Sequence, residues 1–135
     1  MAALLDRLEK AVSDEESFEL WDILEEMKPG DKDKIEENVE YVLKREKLLP
    51  KGGSVLIPMG SWDWEIEDGR WEFWALFEIF EKGGWDMVAH GKVTATGQVA
   101  QMPRMRRKRW GPAEDEPPII QLHSIDVGIT EVFRD

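Results

Sequence analysis

A chain of 135 residues, 41% hydrophobic and 35% charged, has the length of one folding unit and enough apolar mass to enclose one core, which excludes both wholesale disorder and two independent domains. The absence of cysteine removes disulfide scaffolds, thiolate metal sites, iron–sulfur clusters and cysteine nucleophiles together, and fits a reducing, cytoplasmic setting. Acids outnumber bases 29 to 18, for a formal charge of −11, a balance that opposes loose adhesion to nucleic acid or anionic membrane and favours basic protein partners.

No apolar run is long enough to span a bilayer, and Met1–Leu5 is followed at once by Asp6, Arg7 and Glu9, so neither a membrane span nor a signal peptide is expected. Leu4, Leu5, Leu8, Ala11 and Val12 recur at helical spacing over residues 2 to 12, which predicts a short amphipathic helix. Ser13-Asp14-Glu15-Glu16 matches a capping box and predicts a second helix that stops at Pro29-Gly30, with Phe18, Trp21, Leu24 and Met27 inward. Asp33-Lys34-Ile35-Glu36 predicts the cap of a third, with Ile35, Val39, Val42 and Leu43 inward, ending before Leu49-Pro50-Lys51-Gly52-Gly53.

From residue 54 the period changes to two, and β-branched and aromatic residues alternate between glycine-containing turns. This predicts antiparallel strands near 54 to 58, 61 to 67, 70 to 80, 85 to 98 and 119 to 133. Phe73, Phe77 and Phe80 also fall on one helical face, but the aromatic content and the flanking turns favour a strand. Residues 102 to 118 lack periodicity and hold Pro103, Pro112, Pro117 and Pro118, which reads as a long loop. The expected fold is α+β in a single domain over 1–135: three N-terminal helices, about residues 2–48, packed on one face of a mostly antiparallel sheet of four to five strands, about residues 54–133.

Asp68-Gly69 is the strongest turn signal, because a two-residue hairpin needs positive φ at both central positions. It predicts the pairs Glu67 with Arg70, Ile66 with Trp71, Glu65 with Glu72, Trp64 with Phe73 and Asp63 with Trp74. One face then carries Trp62, Trp64, Ile66, Trp71, Phe73, Phe77 and Ile79, a core face. The other sets Glu65 against Glu72 with Asp63 alongside, and adds Trp74, Leu76 and Phe80. Like charges in that position destabilise, so a cation is expected to sit there; a solvated carboxylate ladder beside partly covered aromatics is the plain alternative.

A second feature opposes the chain's overall charge: Arg104, Arg106, Arg107, Lys108, Arg109 and Trp110, set in the 102–118 segment. It reads as an arm gripping phosphates, an arm folding onto the protein's own acidic face, an arm reaching a neighbouring subunit, or a solvated loop. Glu114-Asp115-Glu116 nearby argues for local neutralisation. A winged-helix reading is opposed by the acids of the third helix, Asp33, Glu36, Glu37, Glu40 and Glu46, which would repel phosphate.

His90 and His123 are isolated in sequence and lack the spacing of a zinc helix or a nucleophile triad. Glu65 and Glu72 could serve as an acid and base pair for glycoside hydrolysis, but any strand pair supplies the carboxylate separation. Gly91 and Gly97 lie inside a strand pattern and mark bulges or bends rather than a phosphate loop. No catalytic, cofactor or metal residue is assigned. The expectation is a non-enzymatic acidic interaction module, an inhibitor or regulator of a basic protein and, as a special case, a DNA mimic of the phage or mobile-element type. The alternatives are a nucleic-acid-binding or assembly subunit using 104–110, with homo-oligomers among the assemblies, and a small ligand carrier or enzyme using the aromatic-acidic face.

Overall fold

A computed structural model describes residues 2–101, 105–107, 113–115 and 118–133, with the backbone alone described at 101, 105–107 and 113–115. The chain begins with α1 (Ala2–Ser13), followed by β1 (Ser17–Leu20), β2 (Glu25–Met27) and α2 (Lys32–Arg45). Strands then follow without a break in type: β3 (Ser54–Leu56), β4 (Trp62–Glu67), β5 (Arg70–Phe80), β6 (Met87–Gln101), β7 (Met105–Arg107), β8 (Ala113–Asp115) and β9 (Ile119–Val132).

The expected three helices on four to five strands are corrected by this order. Two helices and a seven-stranded antiparallel sheet are present among the described residues, so the fold is mostly β. Ser13-Asp14-Glu15-Glu16 ends a helix instead of opening one. Glu15 takes φ +50°, its N–H donates to the Val12 carbonyl at 3.1 Å, and the Glu16 N–H donates to Ala11 at 2.9 Å, a Schellman closure that satisfies the last carbonyls of α1. Beyond it Phe18 and Met27 point into the core as strand residues, while Trp21 and Leu24 are 64% and 61% exposed. The i, i+3 spacing of these four is therefore not one helical face. Positive φ at Asp22 and Leu24 turns the chain, so that β1 and β2 pair separately along β9 and fill its open backbone groups.

The other helix forms as expected, with its cap two residues earlier. Asp31 rather than Asp33 is the N-cap, its side chain accepting from the Lys34 N–H at 3.4 Å. Ile35, Val39, Val42 and Leu43 are fully buried.

The central order of the sheet is β1-β9-β6-β5-β3, with β2 also on β9 and β4 also on β5. Each edge is thus built from two short strands. Asp68 and Gly69 take φ of +52° and +76°, and the β4–β5 register is the one that turn dictates, from Glu67↔Arg70 to Asp63↔Trp74. The β6–β9 ladder slips between His90 and Gly91 and between Thr96 and Gly97, so both glycines stand at bulges. Between β6 and β9 the 102–118 segment, read as a loop, contains the antiparallel pair β7–β8.

Phe73, Phe77, Val93, Ala95, Ile125 and Val127 fill the inner face and join Leu8, Ala11, Ile35 and Leu43 of the two helices in one buried cluster. Trp62 and Trp64 pack against this cluster, Trp62 stacking on Phe73 with ring centroids 5.6 Å apart. Ile66, expected in the core, is 37% exposed, because it lies on the edge strand one pair from the turn.

Candidate functional site

The period of two that buries Phe73 and Phe77 sends Glu72, Trp74, Leu76 and Glu78 to the opposite face of the sheet. Both helices belong to the inner core, and among the described residues no helix covers this outer face. Register defines its rows. Glu19, Asp126, Thr94, Trp74 and Asp63 align across the sheet. Ser124, Thr96, Glu72 and Glu65 form the next row, and Gln121, Gln98, Arg70 and Glu67 the one after.

Two like-charge pairs stand directly opposite each other, Glu65↔Glu72 and Glu19↔Asp126. Among the described residues none of these four enters an ion pair, whereas the acids of α2 are paired with neighbouring lysines. Partial burial holds the Asp126 carboxyl above the ordinary carboxylate range, the Glu19 charge pushes it the same way, and Lys92 draws it partly back. The crowding of negative charge anticipated for β4 and β5 is therefore repeated on β1 and β9.

A groove of about 950 Å³ crosses this face. Trp21, Asp22 and Leu24, in the β1–β2 turn, wall one end, and Glu65, Glu67, Asp68 and Glu72, from the β4–β5 hairpin, wall the other. Its floor is small and polar: Thr96 Oγ1 and Ser124 Oγ lie 2.7 Å apart, with Gly97 beside them. Under Gly97 the Trp71 indole donates to the Gln121 carbonyl at 3.0 Å. At the tryptophan end the Trp21 Nε1–H donates to Glu19 Oε2 at 2.8 Å, fixing the exposed ring.

The four residues singled out on β4 and β5 do not behave alike. Glu65 and Glu72 face each other on the outer side and line the groove. Trp74, 37% exposed, lines a neighbouring hollow of about 500 Å³ with Leu76 and Lys92. Asp63 turns its carboxylate to its own strand, where Oδ1 accepts the Trp64 N–H at 2.8 Å. Of the basic segment, Arg106 and Arg107 lie on β7, where register sets Arg106 opposite Glu114. Arg104, Lys108, Arg109 and Trp110 lie outside the described residues.

Sequence reasoning missed Trp21 and His123, and read Asp22 as part of an acidic helix rather than of a turn between strands. Trp21 was assigned to a helix interior, and no glycine or asparagine flags the positive φ at Asp22 and Leu24. His123 bonds Gln121 Oε1 at 2.9 Å through Nε2. His90, between Thr130 at 2.7 Å and Glu131 at 2.9 Å, ties β6 to β9. Among the described residues no group of three or more metal-ligating side chains is assembled, and no helix is long and apolar enough to cross a membrane. No protein-family model matches the chain, and no curated protein or solved structure matches it.

Proposed function

We propose that the protein is a non-enzymatic cytoplasmic interaction module that docks its uncovered acidic sheet face on a basic protein and so inhibits or regulates it, occupying a surface that would otherwise meet phosphates. The observation that carries this reading is the pair of like-charge contacts, Glu65↔Glu72 and Glu19↔Asp126, whose acids enter no ion pair among the described residues, with Lys92 only partly offsetting the charge at Asp126. Such contacts weaken the fold by a few tenths of a kcal/mol to about 1 kcal/mol each, and a cationic partner turns that cost into affinity and a faster encounter.

Self-association through this face is disfavoured by the same charges. Nucleic-acid binding through 104–110, the alternative, is weakened by the cross-strand acid opposite Arg106 and by the −11 charge of the chain.

The test compares the immobilised protein with a Glu65→Gln, Glu72→Gln, Asp126→Asn variant in capture from a native lysate. The expected result is a basic protein held by the parent, released as salt rises, and not held by the variant. Equal retention by both overturns the reading. The captured partner, once purified, should lose its hold on nucleic acid when the parent is added; unchanged nucleic-acid binding removes the mimicry.

A further inference from the structure

The groove has a geometry that the acidic face as a whole does not. Its charged ends are separated by a flat, hydroxyl-lined middle, and all three parts lie on one cross-strand row. Leu20 pairs with Ile125, so Trp21 follows at the level of Ser124, and Ser124 continues through Thr96 to Glu72 and Glu65. Trp21 presents an exposed ring whose edge is tied to Glu19, and Asp22 stands beside it on the wall. An indole face next to carboxylates is a seat for a guanidinium, which stacks on the ring and keeps its donors for the acids.

At the far end Glu65 and Glu72 form a second seat, where the two carboxylates accept the paired donors of a guanidinium. Arg70, the groove's own arginine, stands opposite Glu67 one row nearer the turn. Between the seats Thr96 and Ser124 bond each other and leave room for a peptide backbone.

We propose that this groove receives an extended segment of the partner protein that carries two arginines four residues apart, one stacked on Trp21 and one held by Glu65 and Glu72. The proposal rests on the basic partner inferred above and adds the site and the spacing. Adjacent strands lie about 4.8 Å apart, so the three steps from the edge beside β9 to β5 span about 14 Å. An extended chain advances about 3.3–3.4 Å per residue and returns a side chain to the same side at every second position. Four residues cover that span with both arginines facing the groove.

The experiment titrates the isotopically labelled protein with serine-glycine peptides holding two arginines, either four residues apart or adjacent, followed by two-dimensional NMR. Support consists of tighter binding by the four-apart peptide, about fivefold or more, a shift at the Trp21 indole and none at the exposed Trp85, and similar losses in Trp21→Ala and in Glu72→Gln. Spacing-independent binding that ignores Trp21→Ala overturns the groove while leaving the acidic face as the docking surface. Absence of binding by either peptide also overturns the groove. The broader reading fails separately, through equal capture by the parent and the face variant.

Discussion

Gly97 shows at the scale of one residue how closely neighbouring strands of the sheet are fitted. A Cβ placed there would lie 1.8 Å from the Gln121 carbonyl oxygen and 2.6 Å from the Trp71 indole nitrogen, the two groups that bond each other at 3.0 Å. Gly97→Ala must break that bond and part β6 from β9, and is expected to cost about 2–4 kcal/mol in urea unfolding; a loss below about 0.5 kcal/mol would contradict the tight fit. Asp126 gives the second prediction at this scale. Its carboxyl keeps its proton to higher pH in the folded chain than its ordinary value of 3.8, through burial and the charge of Glu19. Between 3.8 and the raised folded value the native state binds more protons than the unfolded one, so stability falls as pH rises, and the loss persists above that window. Asp126→Asn should therefore melt at a higher temperature than the parent at about pH 7, with the gain gone near about pH 3. A gain of equal size at both pH values would assign it to packing instead.

Among the elements, α2 is tied to the end of β3 by the Glu36 carboxylate. Glu36 Oε1 accepts the N–H of the buried Ile57 at 2.8 Å and an ion pair from Lys32 at 2.9 Å; the same carboxylate holds the Lys32 ammonium above its ordinary range. Glu36→Ala leaves the Ile57 N–H without its partner and should cost about 1–3 kcal/mol in chemical denaturation, while Glu37→Ala, on the exposed side, changes little. β3 to β6 and β9 were legible because a local signal sets each of them, whereas β7 and β8 fall in the segment read as a loop. Asp68-Gly69 fixes the turn, and the alternation from Trp71 to Ile79 fixes the face. β1 and β2 were not legible. They are four and three residues long, too short for a period to register, and their extended conformation is imposed by pairing with β9, which lies about a hundred residues further on in sequence. The same division runs through the candidate site. Glu65, Glu72 and Trp74 could be placed from the hairpin register, whereas Trp21 depends on positive φ at Asp22 and Leu24, where tertiary pairing overrides the residues' own preference.

For the molecule as a whole, a charge of −11 on 135 residues means that the folded state is compressed against its own repulsion. Raising sodium chloride from about 0.01 to about 0.15 M shortens the screening length from about 30 to about 8 Å, so the melting temperature should climb over that range; a fall would show that attractive pairs, not repulsion, dominate. The two-piece construction of both sheet edges has a further outcome for the protein at high concentration. A strand from another molecule seeking to lengthen the sheet along β5 finds six contiguous residues on β4 and three on β3. On β4 every second residue, Asp63, Glu65 and Glu67, is an acid, and one of the outward amides is already taken by Asp63. Along β9 it finds only four and then three. Such interrupted, charged margins deny a fibre its first rung, so a chain rich in strand and tryptophan can stay dispersed without a barrel to close its ends.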